Sequence, residues 1–334
     1  MKAVQVSEAG GDFQTTDLAR PEPEGHQVRV SVEACGICHS DVFVKDGLFP
    51  GIDYPRVPGH EVIGRIDAVG ADVAHWEPGQ RVGIGWHGGH CFDCASCRQG
   101  DFVNCKAAEI TGLTYDGGYA EQVLAPDHAL AAVPDDLDPA DAAPLMCAGV
   151  TTFNALRNSG AQPGELVAVQ GVGGLGHLGI QFARAMGTHT VALSRGEAKR
   201  ELATELGAHR YVDTTQDDPV EALQALGGAR VVLATAPEGP SMTPLVDGLS
   251  VNGVLLTVGV SDQPLEVAPL QLIAKRRRIQ GWPSGHAKDS EETLEFAALH
   301  GVRPLVERYA LADAATAYER MMNNAVRFRA VLVP

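Results

Sequence analysis

Positive charge is scarce in this 334-residue chain: 26 Lys and Arg face 42 Asp and Glu, for a net charge of −16. Such a field repels polyanions, so nucleic acid and anionic lipid surfaces are excluded as expected partners. Long apolar runs are missing too. None reaches the ~18 residues that a membrane span requires, and Met1-Lys2-Ala3-Val4-Gln5-Val6 reads as a strand rather than as an export signal. A cytoplasmic protein is expected. No internal repeat or low-complexity linker interrupts the chain. What is present is ordinary: 45% hydrophobic and 20% charged residues support a sizeable core and exclude a disordered chain. The length suggests two domains, and 38 glycines fit many tight turns better than a helix bundle.

Residues 1–135 are poor in helical periodicity. Val28-Arg29-Val30-Ser31-Val32 alternates, Val62-Ile63-Gly64-Arg65-Ile66 does so more loosely, and Gly and Pro punctuate them. An antiparallel β domain is predicted. After Asp135 the character changes. Asp138 is placed to cap a helix with Pro139 at its first position. From Leu166 onward, strands at Leu166–Gln170, Thr190–Leu193, Tyr211–Val212, Val231–Ala234 and Val254–Val258 alternate with helices at Leu178–Met186 and Glu197–Leu206. That rhythm predicts a parallel sheet covered by helices. It stops near Trp282. Helices are then expected at Ser290–Leu299 and Asp313–Met322, and a last strand at Arg329–Val333. A lone strand is unstable, so this one should return to the first domain.

Gly171-Val172-Gly173-Gly174-Leu175-Gly176 satisfies G-x-G-x-x-G between a predicted strand and a predicted helix, the context that a dinucleotide site requires. The first glycine permits the turn, the second admits a pyrophosphate, and the third lets helix pack on strand. An acidic residue ending the next strand would select NAD through the ribose hydroxyls. Leu193-Ser194-Arg195-Gly196 stands there instead, with Lys199 one turn on. Ser194 and Arg195 can bind a 2′-phosphate, Arg195 bidentately. NADP is therefore favoured over NAD, against a repulsive contribution expected from Glu197.

The seven cysteines are unevenly placed, with Cys91, Cys94, Cys97 and Cys105 inside fifteen positions. Without an export signal, metal is a better reading than disulfides. Four thiolates fill a tetrahedral zinc and leave no open position, which makes the site structural. A nucleic-acid-binding zinc ribbon is the rival role, opposed by the net charge and by Asp93 and Asp101. Cys38, His60 and Cys147 lie in three further segments rich in small residues, Cys35-Gly36-Ile37-Cys38-His39-Ser40-Asp41, Pro58-Gly59-His60-Glu61 and Pro144-Leu145-Met146-Cys147-Ala148-Gly149. Two Cys and a His can form a catalytic zinc set, but spacing alone does not join them, and isolated Cys are commonly buried hydrophobes.

These five motifs occur in the order of the zinc-dependent medium-chain alcohol dehydrogenases. The whole chain resembles that family, and within it the bacterial alcohol dehydrogenases and the cinnamyl alcohol dehydrogenase group. The resemblance implies a GroES-like, mainly antiparallel catalytic domain at 1–146 and 285–334 and a Rossmann domain at 147–284. Substrate is expected in the cleft between them. It implies two zinc ions per subunit, one bound by Cys38, His60 and Cys147. Glu61 would stand beside that zinc and exchange with water there, and Asp41 would orient His60. Ser40 would accept the alcohol proton. His39 and Arg329 would lie at the coenzyme pyrophosphate, and Thr151 at the nicotinamide. The expected activity joins a small alcohol or aldehyde to a nicotinamide coenzyme in a homodimer or homotetramer. Phe49, Trp86 and Trp282 are placed to border the substrate pocket. Cys35 is assigned to core packing. One departure is visible: many members carry His three residues after the Ser or Thr, to pass the proton to solvent, and this chain has Phe43. Two other readings compete: an enone or quinone reductase of the same fold without catalytic zinc, and a zinc-stabilised binding protein without turnover. The intact ligand set and Ser40 speak against both.

Overall fold

The computed structural model describes residues 1–334. The chain forms two units, Met1–Val150 with Ser284–Pro334, and Thr151–Pro283. The first boundary lies at Val150 rather than at the expected 146, because Cys147 belongs with Cys38: their sulfurs lie 3.7 Å apart. The turn before it, Ala143–Met146, is buried, with the Met146 sulfur against Gly83 of the sheet. The second boundary shifts by one residue, to Ser284.

The first unit is built on a seven-stranded sheet. Its strands run Val306–Ala310, Arg329–Val333, Gln27–Gly36, Glu61–Val69, Arg81–Ile84 and Leu130–Ala132, while Gln122–Pro126 also pairs with Gln27–Gly36. Alternating valines 28, 30 and 32 enter the core with Val62, Ile66, Tyr119 and Leu332, as the period of two requires. Glu61–Val69 takes one edge of the long strand, with Gly36 opposite Glu61. The other edge is shared. Gln122–Pro126 pairs with Gln27–Ser31, and the C-terminal strand sets Val331 against Gly36 and Leu332 against Cys35. The terminal strand thus returns to the first domain. It also adds the sheet's one parallel pairing, with Val306–Ala310. Outside this sheet stand two hairpin-like pairs, Lys2–Val6 with Phe13–Asp17 and His87–Gly89 with Glu109–Ile110.

In the second unit six parallel strands occupy Leu166–Gln170, His189–Ser194, Arg210–Asp213, Ala229–Ala234, Leu249–Thr257 and Arg278–Gly281. Counted along the chain, their order is 3-2-1-4-5-6, the doubly wound arrangement whose direction reverses beside strand 1. Strand 1 is buried along its whole length, as a parallel strand covered on both faces must be. The helix Gly176–Ala185 follows it. The helix expected at Glu197–Leu206 divides into a short 3₁₀ turn, Glu197–Lys199, and an α-helix, Arg200–Glu205, because Lys199 leaves helical geometry at φ −107° and ψ 1°. Asp138 caps its helix as predicted, accepting the Ala140 N–H at 2.9 Å. No helix is long and apolar enough to cross a membrane.

Leu332 is fully buried in the first unit's core, whereas Leu299 is 80% exposed. Leu332→Ala should therefore destabilise this unit by about 2–5 kcal/mol, and Leu299→Ala by no more than about 0.5 kcal/mol. Urea unfolding of the two variants checks the contrast.

Candidate active site

Two groups of metal-ligating side chains form in the first unit, each with its ligand atoms within 4.8 Å of one another: Cys91, Cys94, Cys97 and Cys105, and Cys38, His60, Glu61 and Cys147.

The four-cysteine loop closes on itself. Sulfur separations are 3.5 Å for Cys94–Cys97, 3.5 Å for Cys91–Cys105 and 3.9 Å for Cys94–Cys105. A tetrahedron with ~2.3 Å zinc–sulfur bonds has edges of ~3.8 Å, so the loop is shaped for zinc. Backbone N–H groups of Cys94, Cys91 and Ala107 point at the sulfurs of Cys91 and Cys105 from 3.3–3.4 Å. Such donors favour thiolates. The Cys94 thiol is drawn down to about 6, first by backbone N–H donation. Beside the loop, the His90 ring stacks on Phe102 with centroids 4.1 Å apart and meets Phe92 and His128. Burial pushes His87 and His90 to about 4, so both stay neutral near pH 7.

The second group is assembled from three segments. The strand Gln27–Gly36 ends just before Cys38, which begins the turn His39–Asp41. The Asp41 Oδ2 atom accepts the Cys38 N–H at 2.9 Å and so fixes that turn. Gly59 precedes His60 at φ +100°. A Cβ there would strike the Tyr119 ring and approach the Cys35 sulfur to 2.8 Å, so only glycine lets this loop close. Cys147 stands at the start of the helix Ala148–Arg157. The Cys38–Cys147 sulfur separation of 3.7 Å matches the same tetrahedral edge. His60 Nδ1 lies 3.1 Å from Asp41 Oδ1, which leaves Nε2 for the site. The Ser40 hydroxyl lies 3.3 Å from His60 Nε2 and donates to Cys38 Sγ at 3.2 Å.

Glu61 is fully buried. Its Oε1 pairs with the Arg329 guanidinium, itself buried and donating to the Ile37 carbonyl at 3.1 Å, while Oε2 has no hydrogen-bond partner. Burial raises the Glu61 carboxyl to about 7 against the opposing charge of Arg329. Cys38 is drawn well below the ordinary thiol range, chiefly by the Cys147 hydrogen bond, with His60 and Arg329 assisting. Two sulfurs, one imidazole and an orphaned carboxylate oxygen on one point suit a divalent zinc.

The Glu61–Arg329 pair and Tyr119 escaped the sequence reading, which set Arg329 at the pyrophosphate. No local pattern joins residues so far apart. The other predicted residues fall as follows. His39 is exposed on the turn. The Trp86 ring stands edge-on to His60 at 4.9 Å, Phe43 lies 6.2 Å from Trp86, and Phe49 lies 6.4 Å from Phe43, so an aromatic cluster flanks the ligands. Cys35 is fully buried, as its core assignment requires.

In the second unit, the Gly171–Gly176 loop joins strand 1 to its helix at the point where strand order reverses. A Cβ on Gly176 would overlap the Gly171 carbonyl oxygen, while one on Gly173 would meet nothing within 4 Å. The third glycine is thus a packing necessity and the second faces open space, as a pyrophosphate cradle requires. Gly174 and Leu175 are half-buried between them. Ser194 ends strand 2, and Arg195 is 77% exposed beyond it. Glu197 does not face Arg195: it pairs with Arg200, and the carboxylate near Arg195 is Glu238, at 3.4 Å. Lys199 Nζ donates to the Val172 carbonyl at 2.8 Å and so reaches the glycine loop. Asp213, ending strand 3, accepts the Gly196 N–H at 2.7 Å and two donors from Thr215, all on its Oδ1 atom. Thr151 is buried on the helix Ala148–Arg157, and the Trp282 N–H donates to Thr257 O at 3.2 Å.

The comparisons agree with this architecture. Residues 24–135 match the alcohol dehydrogenase GroES-like domain and residues 174–299 the zinc-binding dehydrogenase domain. A GroES-like unit followed by a doubly wound one defines the medium-chain dehydrogenases. The chain belongs to the zinc-dependent medium-chain alcohol dehydrogenase family. It is 45% identical over 331 residues to the alcohol dehydrogenase patD of Penicillium expansum, covering 99% of this chain and 97% of that one. It is 37% identical over 334 residues to an alcohol dehydrogenase of Geobacillus stearothermophilus, covering 99% and 98%. A solved cinnamyl alcohol dehydrogenase from Sorghum bicolor superposes with a TM-score of 0.90 at 30% identity, covering 99% of this chain and 97% of that one.

The two metal groups should separate by substitution. Cys94→Ala is expected to lose one zinc and lower the melting temperature, because a closed site contributes folding free energy. Cys147→Ala is expected to stay folded and lose turnover. Metal content and thermal melts read both, and a Cys94→Ala protein with full zinc and unchanged melting would refute the structural role.

Proposed function

We propose that this protein is a zinc-dependent alcohol dehydrogenase, working in reverse as an aldehyde reductase. The observation that carries the reading is the Ser40 hydroxyl standing inside the Cys38, His60, Glu61 and Cys147 ligand set. Zinc held there would supply Lewis acidity to an alcohol or carbonyl oxygen, and a nicotinamide coenzyme would exchange hydride with the adjoining carbon.

The chain's own residues do the rest. Cys38, His60 and Cys147 hold the metal, and Glu61 offers a fourth oxygen while Arg329 balances its charge. Asp41 keeps His60 in the tautomer with Nε2 free. Ser40 Oγ takes the proton from the alcohol and returns it to the aldehyde. The ring of Phe43, packed beside Trp86, takes the sequence position where many family members carry a proton-passing histidine, so a proton on Ser40 would need another way out, with His39, exposed on the same turn, as the chain's own candidate. Trp86, Phe43 and Phe49 make an apolar wall beside the metal, which favours benzyl and cinnamyl alcohols over ethanol. Trp282 is assigned to the same pocket, Thr151 to the nicotinamide, and Arg329 additionally to the pyrophosphate. The active form is a cytoplasmic homodimer or homotetramer.

The coenzyme is NADP rather than NAD. Support comes from the missing carboxylate after strand 2 and the exposure of Arg195. A phosphate would compete with Glu238 for Arg195, so Glu238 takes the opposing part expected of Glu197. An enone reductase without zinc has no use for the intact ligand set, and a non-catalytic protein has none for Ser40.

A steady-state assay at 340 nm, crossing benzyl alcohol, cinnamyl alcohol and ethanol with NAD and NADP, tests the whole reading. No turnover would remove it; ethanol equalling cinnamyl alcohol would remove the aromatic pocket; a preference for NAD would reverse the coenzyme assignment. Arg195→Ala should cost roughly ten- to hundredfold in kcat/KM for NADP alone, the worth of one charge-assisted contact, and Glu238→Gln should raise it. Ser40→Ala should lower kcat by about 10²–10⁴-fold, as loss of a positioned proton acceptor does. A near-normal rate would mean that the proton takes another route.

A further inference from the structure

Tyr119 is fully buried, and its hydroxyl donates to Asp41 Oδ2 at 2.7 Å. That oxygen also accepts the Cys38 N–H at 2.9 Å, and the other oxygen of the same carboxylate lies 3.1 Å from His60 Nδ1. Asp41 therefore touches two of the metal-ligating residues, and Tyr119 is the one side chain that holds Asp41 from outside that pair. Its backbone is tied to the other end of the site. The Tyr119 N–H donates to the Pro58 carbonyl at 3.0 Å, Gly118 N–H to Gly59 at 2.9 Å, and Gly117 N–H to Val57 at 2.7 Å. The ring lies on Gly59, in the space that a Cβ would fill. Val4 donates to the Tyr119 carbonyl at 2.7 Å and anchors the far side. One residue thus braces both the Cys38–Asp41 turn and the loop that delivers His60.

We propose that Tyr119 is a positioning residue for the catalytic metal: its hydroxyl fixes the Asp41 carboxylate, and through Asp41 the orientation and tautomer of His60. The inference rests on the zinc reading of the Cys38, His60 and Cys147 group. A buried carboxylate needs donors on both oxygens. Without the tyrosine hydroxyl, Asp41 Oδ2 keeps only the Cys38 N–H. The carboxylate is then freer to rotate, and the imidazole 3.1 Å from its other oxygen loses its fixed aim. Partners beyond the ligands commonly change metal affinity by about 10–100-fold when removed.

The test is Tyr119→Phe in the two-zinc holoprotein, which keeps the ring on Gly59 and removes only the hydroxyl. Zinc transfer to a chromogenic chelator should show one zinc lost about 10–100-fold more readily and the second, in the four-cysteine loop, unchanged as an internal control. Cobalt in the catalytic position should show an altered d–d spectrum. The melting temperature of the zinc-loaded protein should stay near that of the wild type. In an Asp41→Ala background the same substitution should add nothing, since the acceptor it acts through is gone. Equal zinc release and an unchanged cobalt spectrum would overturn the proposal. So would an equal effect of Tyr119→Phe with and without Asp41, or a lowered melting temperature with zinc release unaltered, because each points to packing alone. A wild-type protein that binds only the four-cysteine zinc would instead refute the catalytic-zinc reading and, with it, this inference.

Discussion

The register of three strands at Gly36 is the constraint on which the catalytic group depends. Gly36 faces Glu61 on one side and Val331 on the other. This pairing sets the turn carrying Cys38 beside the loop carrying His60. It also brings Arg329 to Glu61 across 268 positions of sequence. A slip of one residue would turn every side chain of a strand to the opposite face, and the carboxylate would lose its cation. The hydrophobic alternation of Val28, Val30 and Val32 therefore does more than fill a core. By fixing the register, it fixes the metal site.

Within that frame, charge is handled by pairing rather than by exposure. Glu61, Arg329, Asp41 and His60 are all buried, which is costly for isolated ions. Each has a partner: Arg329 for Glu61 and His60 for Asp41. Glu61 Oε2 is left without a hydrogen bond, in the group with Cys38, His60 and Cys147. In the absence of a cation this oxygen would be a liability; beside one it becomes a ligand. In the second unit Asp213 Oδ1 holds the Gly196 N–H, and Arg195 beside it stays exposed at the surface.

Much of this was legible in the sequence because it is local. The buried strand Leu166–Gln170, the cap at Asp138, the glycine loop and the four-cysteine spacing each lie within a few consecutive residues. The return of Arg329–Val333 to the first domain was also inferable, because a lone strand needs a sheet. Several strands went unread, two of them for an evident physical reason. Phe13–Asp17 is largely exposed and polar, and Arg278–Gly281 is an edge strand in a basic stretch, so neither carries a hydrophobic signature. The contacts that complete the site were illegible because they are set by register: Tyr119 with Asp41, Arg329 with Glu61, and Glu238 with Arg195.

The return of the terminal strand bears on the order of synthesis. The unit Thr151–Pro283 is continuous, and it can close as soon as it clears the ribosome, as domains generally do. The other unit begins earlier in the chain but cannot finish its sheet until Arg329–Val333 has been made. Nascent Cys38, His60 and Cys147 therefore wait without Arg329, with Glu61 uncompensated, while more than a hundred further residues are translated. The unit that is first to start is last to mature, and the metal pocket acquires its finished electrostatics only once Arg329 has joined the sheet.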